Sequence, residues 1–139
     1  MVDRLKSIDA DLTRIHFMPV QTHSRLMALY THADVILDSY YAGGCTTTRE
    51  AFEVDGLVVT LPTEYLGGRW TYGYYNIMGM HDLIAKTQAE YVDIAVKLAT
   101  NTEYNKQMKA KIRANLSKLH YQMSAVEAWD VLLMNVLRT

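Results

Sequence analysis

Two glycines followed by a cysteine and three threonines form the segment of this 139-residue chain best suited to bind a ligand. The segment follows an apolar run that ends in Asp38, and it opens a helix predicted over 47–54. A helix N-terminus presents unpaired N–H groups and about half a positive charge, which favours a bound anion. Gly43 and Gly44 lack the Cβ atoms that would hold a phosphate at a distance. The pattern predicts a diphosphate site at Gly43, Gly44, Cys45, Thr46, Thr47 and Thr48.

Glu50, one turn further along, supports two interpretations. A carboxylate at this point of the helix could accept both hydroxyl groups of a ribose. Thr47 and Glu50 also have the spacing of a capping box, in which the glutamate bonds back to the N–H group of the cap. Spacing alone favours the capping box, because such boxes are common helix starts. The glycines form no P-loop, since no Gly-Lys-Thr or Gly-Lys-Ser follows them, and they lack the spacing of a dinucleotide fingerprint.

Short apolar runs and helical runs alternate along the chain. Strands are predicted at 14–20, 34–38, 57–61 and 83–85, and helices at 23–33, 47–54 and 69–80. Three amphipathic faces follow, marked by Tyr91, Ile94, Ala95 and Leu98, by Ile112, Leu116 and Leu119, and by Ala125, Trp129, Leu132 and Val136. We predict a doubly wound, Rossmann-like α/β fold, in which a parallel sheet has helices on both faces and a helical C-terminal tail follows.

The chain is predicted to form a single domain over 1–139, because it contains no linker, repeat or low-complexity segment. It begins with a helix end and goes directly to a strand, whereas domains of this class have strands before that point. We therefore expect the N-terminal strands of the domain to be missing or supplied elsewhere.

The composition excludes several classes of partner. The 14 Lys and Arg residues nearly balance the 15 Asp and Glu residues, so neither nucleic acid nor an anionic membrane is expected as a partner. A single cysteine excludes an internal disulfide framework and fits a reducing compartment. The N-terminus is no signal peptide, and no apolar run approaches the roughly 20 residues of a membrane helix. We expect a soluble, intracellular, cytoplasmic domain.

The other reactive residue types do not form a metal or nucleophile site. The five histidines are scattered, without a second ligand at metal spacing, so neither a metal nor another cofactor is expected: His16, His23, His32, His81 and His120. Of these, only His23 lies in a loop expected to face a ligand. Cys45 has no identifiable His or Asn partner, and we interpret it as a small packing residue beside the ligand.

Aromatic residues are concentrated at Tyr65, Trp70, Tyr72, Tyr74 and Tyr75. Such a cluster can stack on a base or a sugar, but at helical spacing it is more often part of a core or an interface. We favour burial against a partner domain. Within the cluster, Arg69 could face a phosphate or pair with an acid on the surface.

Three segments together resemble a known family: DVILD at 34–38, GGCTTTREA at 43–51 and LVVTLP at 57–62. They are similar to the C-terminal domain of GT-B glycosyltransferases, and within these to O-linked N-acetylglucosamine transferases and SPINDLY-type enzymes. The similarity runs from about Arg14 to Leu98. It implies the donor-binding half of an inverting, metal-independent glycosyltransferase that uses a UDP-sugar as its substrate. The sugar would be N-acetylglucosamine and the acceptor a protein Ser or Thr.

The resemblance also assigns roles to residues. Thr46 and Thr47 match the family's threonines that contact the donor diphosphate. Glu50 matches its ribose-binding acid, which shifts the balance from the capping box towards ribose contact. The loop from Gln21 to His23 matches the one that touches the base and the phosphates. The acceptor and the general base would come from an N-terminal acceptor domain or a partner subunit, so the catalytic residues are unknown.

The sequence departs from the family pattern at three positions. Cys45 stands where O-linked N-acetylglucosamine transferases carry a histidine, His23 where they carry a lysine, and Leu26 where they carry another histidine. Histidine carries less positive charge than lysine at neutral pH, so it neutralises a phosphate less. The identity of the base and the sugar therefore stays open.

Two other functions are compatible with the sequence. Alone, the chain could be a non-catalytic nucleotide-sugar-binding module, or one that acts by pairing with another subunit, which an exposed aromatic face at 70–75 would favour. It could also be an unrelated doubly wound domain whose Thr-rich turn is only a helix cap, and such a domain would bind no nucleotide.

Overall fold

The computed structural model describes residues 2–120 and 122–138. Its α-helices are α1 (Val2–Lys6), α2 (His23–His32), α3 (Thr46–Glu53), α4 (Trp70–Met78), α5 (Gln88–Thr100), α6 (Thr102–Asn115) and α7 (Met123–Leu137). Its strands are β1 (Ile36–Leu37) and β2 (Val58–Val59), and short 3-10 helices lie at Leu12–Arg14, Leu66–Gly68 and Leu116–Leu119. Each helix predicted within 23–80, and each amphipathic face after it, corresponds to one of these helices.

The sheet is parallel but small. Ile36 pairs with Val58 and Leu37 with Val59, and a parallel bridge joins Thr60 to Ile84 beyond the end of β2. The segments predicted as strands at 34–38, 57–61 and 83–85 thus lie side by side, in that order. The protein is helix-rich around this core, and within the described residues the full doubly wound sheet is not formed.

The strand predicted at 14–20 is wrong. Leu12–Arg14 forms a 3-10 helix, and the residues that follow pair with no strand in the described part of the chain. The side chains of Phe17, Met18 and Val20 are exposed by 55%, 56% and 102%, so an apolar run that is typical of a buried strand has nothing to cover it. A strand without a hydrogen-bonded neighbour or a buried face gains too little to remain ordered as sheet.

The core forms where α3 and α4 meet the sheet. Phe52 and Tyr75 are fully buried, and their ring centroids lie 5.2 Å apart. The Tyr75 hydroxyl donates to the carbonyl of Val58 at 2.7 Å, which gives a buried polar group the partner it requires. This bond ties α4 to β2, and therefore fixes the loops that follow the strand.

The C-terminal helices differ in burial. In α5 and α6 the apolar faces are covered, with Leu98, Met108 and Ile112 buried in the core. By contrast, every described residue of α7 is exposed, although the helix itself was predicted correctly. Its amphipathic face is therefore not used inside the described chain.

Candidate functional site

Asp38 organises the turn that leads into α3. It follows β1, and its backbone N–H donates to the carbonyl of Val59 at 3.0 Å. One oxygen of its carboxylate accepts the N–H of Gly44 and the other accepts the hydroxyl of Thr60, both at 2.8 Å. A Cβ atom on Gly43 would lie 2.7 Å from the same carboxylate, so any other residue here would displace it. The glycines thus allow the chain to fold closely over a carboxylate at the end of the sheet.

Neither glycine offers its N–H to a ligand. Gly43 donates to the carbonyl of Gly67 at 2.8 Å, and Gly44 donates to Asp38. The two N–H groups expected to face a diphosphate are therefore used inside the protein. The glycines shape the site, and the donors left for an anion are those of the first turn of α3.

The first turn of α3 is not closed by a capping box. The helix begins at Thr46, and its N-cap is Cys45, which makes no side-chain capping hydrogen bond. The capping-box interpretation, in which Thr47 is the cap and Glu50 bonds back to it, is therefore wrong. A helix whose N-cap side chain forms no hydrogen bond presents N–H groups and a partial positive charge at its first turn.

The three threonines have different environments. Thr46 and Thr47 are exposed on the first turn, whereas Thr48 is buried. The Thr48 hydroxyl lies 3.1 Å from the hydroxyl of Thr71 on α4, and Thr71 in turn contacts the carbonyl of Gly44 at 3.5 Å. Thr48 thus anchors the turn to α4, which leaves the first two threonines as the ones that can meet a ligand.

Glu50 and His23 come together across the gap between α2 and α3. Nδ1 of His23 lies 3.7 Å from the Glu50 carboxylate, and the side chains are 68% and 28% exposed. Tyr30 on α2 lies nearby, and its pKa is raised by burial and then by the Glu50 charge. The Gln21 amide donates to the carbonyl of Pro19 at 2.7 Å instead of pointing across the gap.

A cavity of about 180 Å³ lies between these elements and the sheet. Its walls come from the end of β1, the glycine turn, the first turns of α3 and one side of α2. Its lining includes Tyr30, Asp38, Ser39, Gly44, Thr47 and Thr48. Polar groups from three elements therefore converge on one concave surface beyond the carboxyl ends of parallel strands, where α/β folds bind ligands.

Cys45 is in contact with α4. Its Sγ lies 3.4 Å from the hydroxyl of Tyr74. Burial, and then the hydrogen bond with Cys45, raise the pKa of Tyr74 to about 12. The thiol therefore packs against the hydroxyl of a tyrosine that stays neutral.

The loop that follows β2 is held together internally. Arg69 donates to the carbonyl of Thr63 at 2.8 Å and lies over the ring of Tyr72, 4.6 Å from its centroid. Arg69 therefore contacts the backbone of its own loop and the first turn of α4. The neighbouring aromatic residues divide between core and surface, since Tyr75 is fully buried while Tyr65 and Trp70 are 62% and 37% exposed. They form no continuous exposed face.

Residues 2–120 and 122–138 contain neither a metal-binding cluster nor a membrane-spanning helix. No group of three or more His, Cys, Asp or Glu side chains there is arranged to hold a metal ion. None of the helices in the same ranges has the length and apolar character required to cross a membrane.

Sequence reasoning missed the roles of Asp38, Thr60 and Gly67. The signal for Asp38 was present, because a carboxylate at the end of a strand directly before two glycines has backbone N–H groups within reach. The Thr60 and Gly67 contacts had no local signal, since each is set by how two distant loops pack together.

The sequence of the chain matches one family of known proteins. The sequence model of glycosyl transferase family 41 matches residues 2–125. A UDP-N-acetylglucosamine–peptide N-acetylglucosaminyltransferase from Caenorhabditis elegans is 34% identical over 102 residues, which cover 73% of this chain and 9% of that protein. A probable UDP-N-acetylglucosamine–peptide N-acetylglucosaminyltransferase SPINDLY from Eustoma exaltatum subsp. russellianum is 25% identical over 116 residues, or 82% of this chain and 12% of that protein.

A solved structure is similar as well. A mutant of the O-GlcNAc transferase from Thermobaculum terrenum superposes with a TM-score of 0.78 at 28% identity, over 86% of this chain and 23% of that one. The fold of this chain is therefore similar to part of a GT-B enzyme. The chain spans about a tenth of the length of the curated relatives and under a quarter of the solved structure.

Proposed function

Since the chain belongs to glycosyl transferase family 41, we propose that it forms the donor-binding half of an inverting glycosyltransferase. The observation that carries the proposal is the first turn of α3, where the exposed Thr46 and Thr47 precede Glu50 on a helix without a side-chain cap. The domain, 1–139 as a single unit, would bind a UDP-sugar that carries N-acetylglucosamine. A protein Ser or Thr would be the acceptor.

The diphosphate would lie on the first turn of α3. The N–H groups of that turn and the hydroxyls of Thr46 and Thr47 would donate to its oxygens, and the helix dipole would favour its charge. Cys45 would lie beside it, Gly43 and Gly44 would keep the backbone close, and the buried Thr48 would hold the turn to α4. Gly43 and Gly44, which were predicted to contact the diphosphate, would instead determine the shape of the turn.

The ribose would lie against Glu50. Its carboxylate is partly exposed, so it could accept the two ribose hydroxyls beside its contact with His23. His23 lies on the other side of that carboxylate, at the edge of the gap, where a phosphate or a base could reach it. Gln21 would contact the base only after giving up its bond to Pro19.

Catalysis would rest on stabilising the departing diphosphate. Preorganised N–H donors at a helix N-terminus lower the energy of the developing negative charge without moving during the reaction. The general base and the acceptor would come from an N-terminal acceptor domain or a partner subunit. The size of the relatives supports this, because the chain covers only 9% to 23% of them.

The second candidate is a module that binds a nucleotide-sugar without catalysis, or that acts by pairing with another subunit. The observation in its favour is α7, on which apolar side chains between 43% and 79% exposed stand on all sides: Met123, Val126, Trp129, Val131, Leu132, Leu133, Met134, Val136 and Leu137. An apolar surface of this kind marks a protein interface. Transfer of sugar from UDP-N-acetylglucosamine to a peptide, assayed with and without the acceptor half of a family relative, separates the two candidates.

Equilibrium binding tests the donor site. UDP, UDP-N-acetylglucosamine, GDP and ADP are titrated into the chain by calorimetry, with Thr47→Val and Glu50→Ala alongside. The matched controls are Thr102→Val and Glu103→Ala, which alter a threonine and a glutamate in the first turn of a different helix, α6. The proposal predicts that the chain prefers uridine nucleotides. Thr47→Val and Glu50→Ala should lose affinity, whereas the two control variants should bind as the wild type does. Absence of saturable binding to the folded chain would refute it.

A further inference from the structure

We infer that Asp38 is a positioning residue for the donor diphosphate, through its hold on the backbone that enters α3. This inference rests on the proposed donor site. Gly44 precedes Cys45, the N-cap of the helix, and its N–H donates to the Asp38 carboxylate at 2.8 Å. The direction from which the chain enters the helix is therefore set by a side chain that itself contacts no diphosphate.

Asp38 is unusually well fixed. Its carboxylate accepts from Gly44 and Thr60, its N–H donates to Val59, and its carbonyl accepts the hydroxyl of Tyr91 at 2.9 Å. Both strand segments and α5 therefore determine where the carboxylate lies. Because Asp38 is held from three directions, its carboxylate fixes the position of the glycine turn relative to the sheet.

A carboxylate at position 38 lowers stability and anion affinity in ways that a purely structural role does not require. The residue is partly buried, and a buried charge loses hydration that only good hydrogen bonds restore. It also lies in the wall of the cavity that holds Gly44 and Thr47, where its charge would oppose an anion. Bonds from N–H and O–H groups to an ionised carboxylate are about twice as strong as neutral ones. The stronger hydrogen bond from the Gly44 N–H compensates for these two unfavourable effects.

The steric environment supports the same role. A Cβ on Gly43 would meet the Asp38 carboxylate at 2.7 Å, and a Cβ on Gly44 would collide with the hydroxyls of Thr48 and Thr47. Asp38 and the two threonines therefore lie tightly against the backbone of the glycine turn. Without the carboxylate, two glycines in succession would give the backbone many alternatives.

The test compares Asp38→Ala and Asp38→Asn with wild type and with Asp34→Ala, which removes an exposed carboxylate from the other end of the same segment. UDP affinity and the amide proton shift of Gly44 are measured on folded protein. Asp38→Ala is expected to weaken UDP binding about tenfold and to move the Gly44 amide proton upfield. Asparagine can still accept the Gly44 N–H, so Asp38→Asn should restore affinity to within about threefold of wild type.

Thr60→Val provides a second route if Asp38→Ala does not fold, since it removes only one of the two bonds to the carboxylate. It should weaken UDP binding about threefold, with a smaller shift at Gly44. Folded variants that bind UDP as wild type does, with the Gly44 amide displaced, would overturn the role of Asp38 alone. A wild-type chain that binds no UDP would instead overturn the proposed function.

Discussion

Nδ1 of His23 lies 3.7 Å from the carboxylate of Glu50, so the first residue of α2 meets a side chain one turn into α3. The resemblance assigned these two residues separately, one to the base and phosphates and the other to the ribose. The structure brings them to the same gap. A nucleotide bound there would lie between them, and the charge at position 23 should affect its affinity.

Replacing His23 by lysine is therefore expected to strengthen the binding of a diphosphate. Lysine carries a full charge at neutral pH and is long enough to contact a phosphate. Because the side chain at position 23 is exposed to solvent, the increase in affinity should be small. We expect His23→Lys to raise UDP affinity about threefold, with a smaller change for uridine. His32→Lys adds the same charge at the far end of α2, and an equal gain there would show that only the net charge matters.

Thr48 should contribute to stability and not to ligand contact. Thr48→Val leaves the Thr71 hydroxyl with a poorer partner in the interior, so we expect the free energy of unfolding to fall by about 1–2 kcal/mol. Thr46→Val, on the exposed side of the same turn, should change it by less than about 0.5 kcal/mol. Urea unfolding of the two variants measures the difference, and equal effects would contradict the buried contact.

The raised pKa of Tyr74 predicts an alkaline loss of stability. Its pKa is about 12 in the folded chain against 10.0 for an ordinary tyrosine, so folding favours the protonated form. The resulting stabilisation is fully present below pH 10 and is lost as the pH rises through 12. Tyr74→Phe should remove this part of the pH dependence of unfolding. An unchanged dependence between pH 10 and 12 would mean that Tyr74 titrates normally.

The single thiol reports on occupancy of the first turn of α3. Cys45 is partly exposed and is the only cysteine, so alkylation by iodoacetamide can be followed without ambiguity. UDP at saturating concentration should slow alkylation at least about threefold, because a diphosphate on the turn limits access to the thiol. Uridine, which lacks the phosphates, should give little protection. Equal protection by both compounds would place the diphosphate elsewhere.

Local patterns predicted the helices from α2 onwards and two of the four strands, while the run at 83–85 forms only a bridge at Ile84. The runs at 34–38 and 57–61 do form a parallel pair, but only the second is buried, since Leu37 in β1 is 58% exposed. The run at 14–20 has the same local character, yet nothing in the described chain pairs with it. A strand depends on its neighbours, so local composition could not separate the two cases.

The position of the glycine-threonine turn after a strand was predicted, but its internal contacts were not. A glycine-rich turn before a threonine-rich helix start is a local feature, and the structure places that turn beyond the carboxyl end of β1. Which N–H groups remain free for a ligand depends on remote contacts, such as that of Gly43 with Gly67. The burial of Thr48 likewise depends on Thr71 in another helix. The cytoplasmic location stays a prediction.

Amide shift mapping with UDP tests the central claim most directly. The chain is labelled with ¹⁵N and titrated with UDP while the backbone signals of 43–50 are followed. The donor-site account predicts saturable shifts largest at Cys45, Thr46 and Thr47, with smaller ones at Glu50 and His23, and their loss in Thr47→Val. Millimolar UDP that leaves these signals unmoved in the folded chain, or moves only signals far from α3, would contradict it.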